Sequence, residues 1–286
     1  MTQTVTPELR AWIIAQAEAG HPTEAVLKAM AEAGWGEEVA MAALESTLTE
    51  HLRARGALPA GVAGAAALGR LPEPDLSGSP GCIDLGDRVV EVLVSVRQPR
   101  VVVFGSFLSD EECAALVAQA RPRMARSLTV QIQTGGEQLN ADRTSNGMFF
   151  QRGEGELVAR VEARIARLLN WPLEHGEGLQ VLQYLPGAQY KPHYDYFDPR
   201  AAGTAKLLQR GGQRVATLVM YLNEPEAGGG TTFPDIGLEV APRRGNAVFF
   251  AYDQPSPATR TLHGGAPVLA GEKWVATKWL REREFV

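Results

Sequence analysis

Five histidines occur in the chain, His21, His51, His175, His193 and His263, so a histidine-based metal site must draw on few of them. The segment Tyr190-Lys191-Pro192-His193-Tyr194-Asp195 stands out. If it is extended, His193 and Asp195 project from one face, because residues two apart on a strand share a side. An imidazole and a carboxylate together suit a borderline first-row cation. A second imidazole would complete a facial set of two His and one carboxylate, with further positions left open. His263, in Thr261-Leu262-His263-Gly264-Gly265, is the natural third ligand. It lies 68 residues beyond Asp195 (263 − 195), a separation that only a barrel-like fold closes. His-x-Asp is a weak signal by itself, and a loop histidine bonded to backbone is the plain alternative for His263.

Lys273 follows His263 by ten residues and opens the segment Lys273-Trp274-Val275-Ala276-Thr277-Lys278-Trp279-Leu280. Strand alternation puts Lys273, Val275, Thr277 and Trp279 on one face and Trp274, Ala276, Lys278 and Leu280 on the other. If the first face points inward, Lys273 is a buried cation and requires an anionic partner. A surface lysine on an edge strand is the alternative.

These residues need elements to carry them. The chain has 286 residues, 45% hydrophobic and 21% charged, the profile of a globular protein with room for one large domain or one large and one small. A net charge of −5 without a basic run weighs against nucleic acid or an anionic membrane surface as partner. The first residues show no export signal and no apolar stretch reaches membrane-spanning length, so a cytoplasmic location is expected. Cys82 and Cys113 lack zinc-type spacing, and no disulfide between them is expected in that compartment.

Residues 1–54 read as three short helices. Thr6-Pro7-Glu8 supplies a cap, a first-turn proline and a first-turn acid, with Trp12, Ile13 and Ala17 as the inner stripe. A second helix runs from Pro22 to about Ala33 with Ala25, Val26, Ala29 and Met30 on one face. A third buries Val39, Ala40, Ala43, Leu44 and Leu48. Residues 55–96, rich in Ala, Gly and Pro, read as a linker. From 97 to 286 a strand at Arg100–Phe104, a Ser109-capped helix and a helix over about Glu154–Leu169 precede a strand-rich half. Its strands are expected at Leu179–Leu185, Arg214–Asn223, Ala247–Tyr252 and Lys273–Leu280. Helices followed by many short strands predict an α+β domain whose sheets form a sandwich or barrel.

His193-x-Asp195, the distant His263 and Lys273 ten residues later resemble the pattern of iron(II)- and 2-oxoglutarate-dependent oxygenases of the prolyl 4-hydroxylase family. Supporting stretches run in the family's order over about two-thirds of the chain. They are Phe107–Cys113, Arg143-Thr-Ser-Asn-Gly147, Gly176–Val181, Tyr184-x-x-Gly187-x-x-Tyr190-x-x-His193-x-Asp195, and Gly229–Pro234. The resemblance implies a double-stranded β-helix (jelly roll) core with flanking helices, preceded here by a small three-helix domain, in a bacterial-type member. It implies His193, Asp195 and His263 as iron ligands and Lys273 as the cation for the distal carboxylate of 2-oxoglutarate. Tyr184 and Thr231 match positions lining the cosubstrate pocket; a core tyrosine and a turn threonine are the plain alternatives.

For a proline-containing peptide or protein, the matching positions are Arg143, Ser145, Glu177, Gln180, Tyr190, Arg214 and Trp279. Aromatic walls suit an apolar ring without a backbone donor, and arginines suit peptide carbonyls; Trp279 reads equally as a core residue. The expected reaction is hydroxylation at C4 of a prolyl residue with O2 as cosubstrate and succinate and CO2 as co-products. Ascorbate (vitamin C) is a candidate reductant. Several family members have histidine where this chain has Arg281, which bears on peptide preference. The alternatives are the same chemistry on another side chain, a free amino acid or an alkylated base, and a non-catalytic metal-binding jelly roll. The N-terminal helices faintly resemble ubiquitin-associated-type modules. They are expected either to dock a protein partner or to pack as a cap on the oxygenase domain.

Overall fold

Residues that alternate in polarity form most of the strands, and whether the second face is covered decides which strands are apolar throughout. A computed structural model describes residues 5–21, 23–54, 71–126, 128–131, 136–139 and 143–286. The chain divides into two compact units, Met1–Val62 and Ala63–Val286.

The first unit holds helices α1 (Pro7–Glu18), α2 (Thr23–Glu32) and α3 (Glu37–Ala54). Thr6 caps α1, its hydroxyl accepting from the Leu9 N–H at 3.3 Å, and Pro7 occupies the first turn. Ile13, Val26, Met30, Ala40, Ala43 and Leu44 form the core. The expected stripe on α1 is corrected: Trp12 and Ala17 face solvent, as does Ala25 on α2. Three short helices have too little surface to bury every apolar position, and on α1 Ile13 is buried in the core with Leu9 packed partly against it. Pro22, read as the start of α2, lies outside the described residues.

The second unit contains strands β1 (Cys82–Asp84), β2 (Val89–Val96), β3 (Arg100–Gly105), β4 (Ala125–Arg126), β5 (Leu128–Gln131), β6 (Gly136–Leu139), β7 (Asn146–Phe150), β8 (Leu179–Tyr184) and β9 (Tyr190–His193). It continues with β10 (Arg214–Tyr221), β11 (Ala227–Gly228), β12 (Thr231–Phe233), β13 (Leu238–Val240), β14 (Ala247–Ala251), β15 (His263–Gly265), β16 (Val268–Ala270) and β17 (Lys273–Arg281). Its helices are α4 (Asp110–Ala120), α5 (Gly155–Leu169) and the short α6 (Thr204–Leu208). A major antiparallel sheet has the order β1-β2-β3-β14-β10-β17-β8-β7-β4, and a minor one the order β13-β12-β15-β9. The linker expected over 55–96 is corrected at its far end: β1 and β2 belong to the major sheet, β2 pairing with β3. The stretch 55–70 lies outside the described residues. Cys82 is exposed, Cys113 is buried, and both are free thiols.

One face of the major sheet packs on α4 and α5 through Phe104, Leu116, Val161, Ile165, Leu218, Phe249, Trp274 and Ala276. The other packs on the minor sheet through Val101, Leu182, Tyr221, Phe233, Val248, Phe250 and Val275. β17 is therefore buried along its whole length, and its alternation is the one the sequence predicts: Trp274, Ala276 and Leu280 toward the helices, Val275 toward the minor sheet. Lys278, on the helix side, is neutralised by a buried ion pair with Glu162 of α5.

Glu112 fastens α4 to α5. It completes the capping box with Ser109 and also accepts two hydrogen bonds from Arg164, each 2.8 Å. Burial alone would raise its pKa, but the Arg164 and Ser109 contacts outweigh burial and hold it at about 2. A carboxylate with a depressed folded-state pKa contributes stability above its unfolded pKa and loses it as pH falls through the folded value. Chemical denaturation should therefore show a loss of stability between about pH 4.5 and 2 that is smaller in Glu112→Gln, because that variant lacks this proton uptake. Equal losses in both proteins would remove Glu112 as a contributor.

Candidate active site

β9 and β15 pair antiparallel with His263 directly opposite His193, and Asp195 is the second residue after β9. Pairing in the minor sheet thus closes the 68-residue separation (263 − 195) between His263 and Asp195. Nε2 of His193 lies 3.5 Å from Asp195 Oδ1, and Nε2 of His263 lies 3.5 Å from Asp195 Oδ2. One donor atom from each of the three residues falls within 4.8 Å of the others. Both rings are set from behind: Nδ1–H of His193 donates to the Lys191 carbonyl and Nδ1–H of His263 to the Thr261 carbonyl, each at 2.9 Å. A carbonyl can only accept, so each Nδ1 carries the proton and each Nε2 presents its lone pair to the cluster.

Burial pushes the His263 pKa down to about 4, leaving the ring neutral near pH 7. For Asp195 burial acts upward, but the adjacent imidazoles of His263 and His193 outweigh it and hold the carboxyl well below the ordinary carboxylate range. Two imidazole nitrogens and one carboxylate converging on one point fit a divalent first-row metal.

Thr217 of β10, which the sequence reading passed over, donates its hydroxyl to Asp195 Oδ2 at 2.7 Å and lies 3.0 Å from the Tyr252 hydroxyl. Its signal was the alternation Thr217, Val219, Tyr221, which puts a small polar side chain on the inner face of an otherwise apolar strand. Outer contacts of this kind orient metal-ligating groups. Thr217→Val should weaken iron(II) binding by about tenfold to a hundredfold, read by metal titration under anaerobic conditions. Unchanged affinity would reduce the contact to packing.

Lys273 pairs across β17 and β8 with Tyr184, and its ammonium lies 5.4 Å from the Tyr184 ring centroid and 5.8 Å from that of Tyr221. Only 4% of the residue is exposed. Among the described residues no hydrogen bond or ion pair holds its ammonium. Burial lowers its pKa to about 8, with the carboxylate of Glu239 acting the other way. A Cβ added to Gly265, two residues after His263, would lie 4.0 Å from the ammonium, which places the cation under β15. Thr231 is buried in the same region, accepting from the Tyr221 hydroxyl at 2.8 Å. Tyr184, Thr231 and Lys273 are thus brought together, and Tyr221 joins them.

The positions matched to a peptide form two groups. Arg143 donates to Gln180 Oε1 at 2.8 Å and to Ser145 Oγ at 3.3 Å, and its guanidinium lies 5.1 Å from the Tyr190 ring. Tyr190 in turn stacks on His193 with centroids 3.6 Å apart. The second group is Glu177, Arg214 and Trp279: Arg214 forms a bidentate pair with Glu177 and sits 4.0 Å over the Trp279 ring. The exposed Phe149 flanks Trp279 at 6.4 Å.

Residues 179–281 match the family described as the 2OG-Fe(II) oxygenase superfamily. Probable prolyl 4-hydroxylase 3 of Arabidopsis thaliana is 40% identical over 228 residues, covering 72% of this chain and 77% of that protein. Prolyl 4-hydroxylase 1 of the same plant is 44% identical over 203 residues, 65% of this chain and 70% of that protein. The solved 2OG complex of the viral collagen prolyl hydroxylase vCPH from Paramecium Bursaria Chlorella virus-1 is 30% identical, with a TM-score of 0.49, over 63% of this chain and 95% of that one. With a site of two imidazoles and a carboxylate beside a buried cation, and relatives matched over most of their length, the chain belongs to the prolyl 4-hydroxylase family of 2OG-Fe(II) oxygenases.

Proposed function

We propose that the chain hydroxylates C4 of a prolyl residue in a peptide or protein, consuming 2-oxoglutarate and O2 and releasing succinate and CO2. The observation that carries this reading is the convergence of His193, Asp195 and His263 beside the buried ammonium of Lys273, which is unpaired among the described residues. His193, Asp195 and His263 would hold iron(II), which supplies the activation of dioxygen when bound. Lys273 receives the distal carboxylate of 2-oxoglutarate, and the hydroxyls of Tyr184 and Thr231 line the same chamber. The pairing of that carboxylate with Lys273 relieves a buried charge and orients the cosubstrate.

Tyr190, stacked on His193, and Trp279 form apolar walls for the proline ring, while Arg143 and Arg214 serve the peptide carbonyls. The two facing sheets are read as a double-stranded β-helix core. The three-helix unit is read as a docking module for a protein partner. No helix among the described residues is long and apolar enough to cross a membrane. A cytoplasmic location and use of ascorbate as reductant complete the reading.

The test is anaerobic loading with iron(II) and 2-oxoglutarate, then air and a panel of proline peptides, scoring succinate and peptide mass. Succinate matched by one added oxygen on proline is the expected result. Succinate without peptide oxidation would reject these substrates and leave oxygenase chemistry on another target. No succinate despite bound iron would leave a metal-binding module.

A further inference from the structure

Glu177 is shared by two arginines. Its Oε1 accepts from Arg214 Nε and from Arg281 Nε, each at 2.6 Å, and its Oε2 accepts from Arg214 Nη2 at 2.9 Å. The two arginines stand opposite each other across β10 and β17. Both guanidiniums lie on Phe197, at 4.9 and 4.8 Å from the ring centroid. Arg281 is further held by the carbonyls of Gly212 and Leu207, so its position does not depend on substrate. A permanent charge is thus added to a buried carboxylate that Arg214 already neutralises.

One carboxylate between two guanidiniums leaves one positive charge over. The neighbouring carboxylate, Glu282, does not offset it by contact: its Oε2 accepts from the Gln213 backbone N–H at 2.8 Å, and no ion pair joins it to Arg214 or Arg281. Asp195 does act on Arg214 through space, but its oxygens face His193, His263 and Thr217, and a divalent metal held there would take up its charge. Two donors beside the cluster also lack acceptors. Nη1 of Arg214 donates to nothing among the described residues, and the indole N–H of Trp279 is buried without a partner. An excess charge and an orphaned donor at one place are both costly unless a ligand meets them, and one kind of group meets both: an anion.

We propose that the Glu177–Arg214–Arg281 cluster makes this enzyme select acidic substrates, a peptide carboxylate near the target proline docking on Arg214 and the Trp279 indole N–H. This rests on the reading of the chain as a peptidyl-prolyl hydroxylase. The carboxylate comes either from an Asp or Glu side chain flanking the proline or from the C-terminus of the peptide. Arg281 acts here as a positioning residue, fixing Glu177 and supplying the surplus charge.

The test uses the full chain loaded with iron(II) and 2-oxoglutarate and blocked peptides of one proline sequence carrying Glu, Gln or Lys in turn at each flanking position. A parallel pair differs only in a free or amidated C-terminus. At one position, or at the free C-terminus, kcat/KM should favour the carboxylate over its amide by about tenfold or more, and the preference should shrink at high salt. Arg281→Gln should bring the Glu-to-Gln ratio toward one, each peptide serving as the other's control for the variant's general competence. If that variant does not fold, the wild-type ratios and their salt dependence still decide. Hydroxylation equal for Glu, Gln and Lys peptides at every position, with no effect of the C-terminal charge, overturns the proposal alone. Succinate formation with no peptide oxidised overturns the peptidyl-prolyl reading beneath it as well.

Discussion

Asp195→Ala should abolish peptide hydroxylation, with a fall in turnover of at least about a thousandfold, or roughly 4 kcal/mol of transition-state stabilisation. Asp195 supplies the only carboxylate in the three-residue cluster, and both imidazole Nε2 atoms lie 3.5 Å from its oxygens. Its removal takes away the one anionic donor and leaves the Thr217 hydroxyl facing a cavity. The check is peptide mass after aerobic turnover, paired with an iron(II) titration. Circular dichroism of the variant separates loss of the site from loss of the fold. Full hydroxylation by a folded Asp195→Ala protein would sink the assignment of this trio to the metal.

Lys273→Met should raise the KM for 2-oxoglutarate by about two orders of magnitude while leaving iron(II) affinity nearly unchanged. The residue is 4% exposed and its ammonium is unpaired among the described residues, so a dicarboxylate gains a partner there that solvent does not replace. The pH dependence has a definite sign. Burial has moved the free enzyme's Lys273 down to about 8 against the pull of Glu239, so the cation is present below that pH and is lost above it. The KM for 2-oxoglutarate should be flat near pH 7 and rise by about tenfold per pH unit on the alkaline side. The Met variant should lack that limb, because it has nothing to titrate. A KM unaffected by the substitution, or an alkaline limb that survives it, would place the distal carboxylate elsewhere.

The chemistry was more legible in the chain than the frame around it. His193, Asp195, His263 and Lys273 were identifiable by type and spacing, and strand alternation put Lys273, Val275, Thr277 and Trp279 on one face of β17, while packing on the minor sheet decided that this face is the inner one. Capping signals marked Thr6 and Ser109 as helix starts, and both hydroxyls accept the backbone hydrogen bond expected of them. These features depend on neighbours a few residues away, and local sterics and hydrogen bonding decide them.

β1 and β2 were read as part of a linker for a physical reason. The burial of β2 does not alternate: Val89, Leu93 and Val94 stay exposed beside a register shift, and Gly- and Pro-containing turns flank the pair. Only pairing with β3 distinguishes this segment from a connecting chain. The inner stripe expected on α1 failed likewise, because periodicity names a face but not how much of it a small unit can cover.

Thr217, Tyr221 and Tyr252 reached the site without a motif, since each is an ordinary strand residue until sheet register sets it against Asp195, Thr231 or Thr217. Arg281 shows the division most clearly. Its identity as a departure from the family was visible in the sequence, but its partner, Glu177, is 104 residues away (281 − 177) and already engaged by Arg214. The sequence by itself determined which groups can bind metal, which can carry charge and which strands present them. The tertiary structure alone decided which charges meet, because ion pairs and hydrogen bonds between distant residues depend on register and packing, and so it alone leaves Lys273 unpaired among the described residues and one arginine charge in excess beside Trp279.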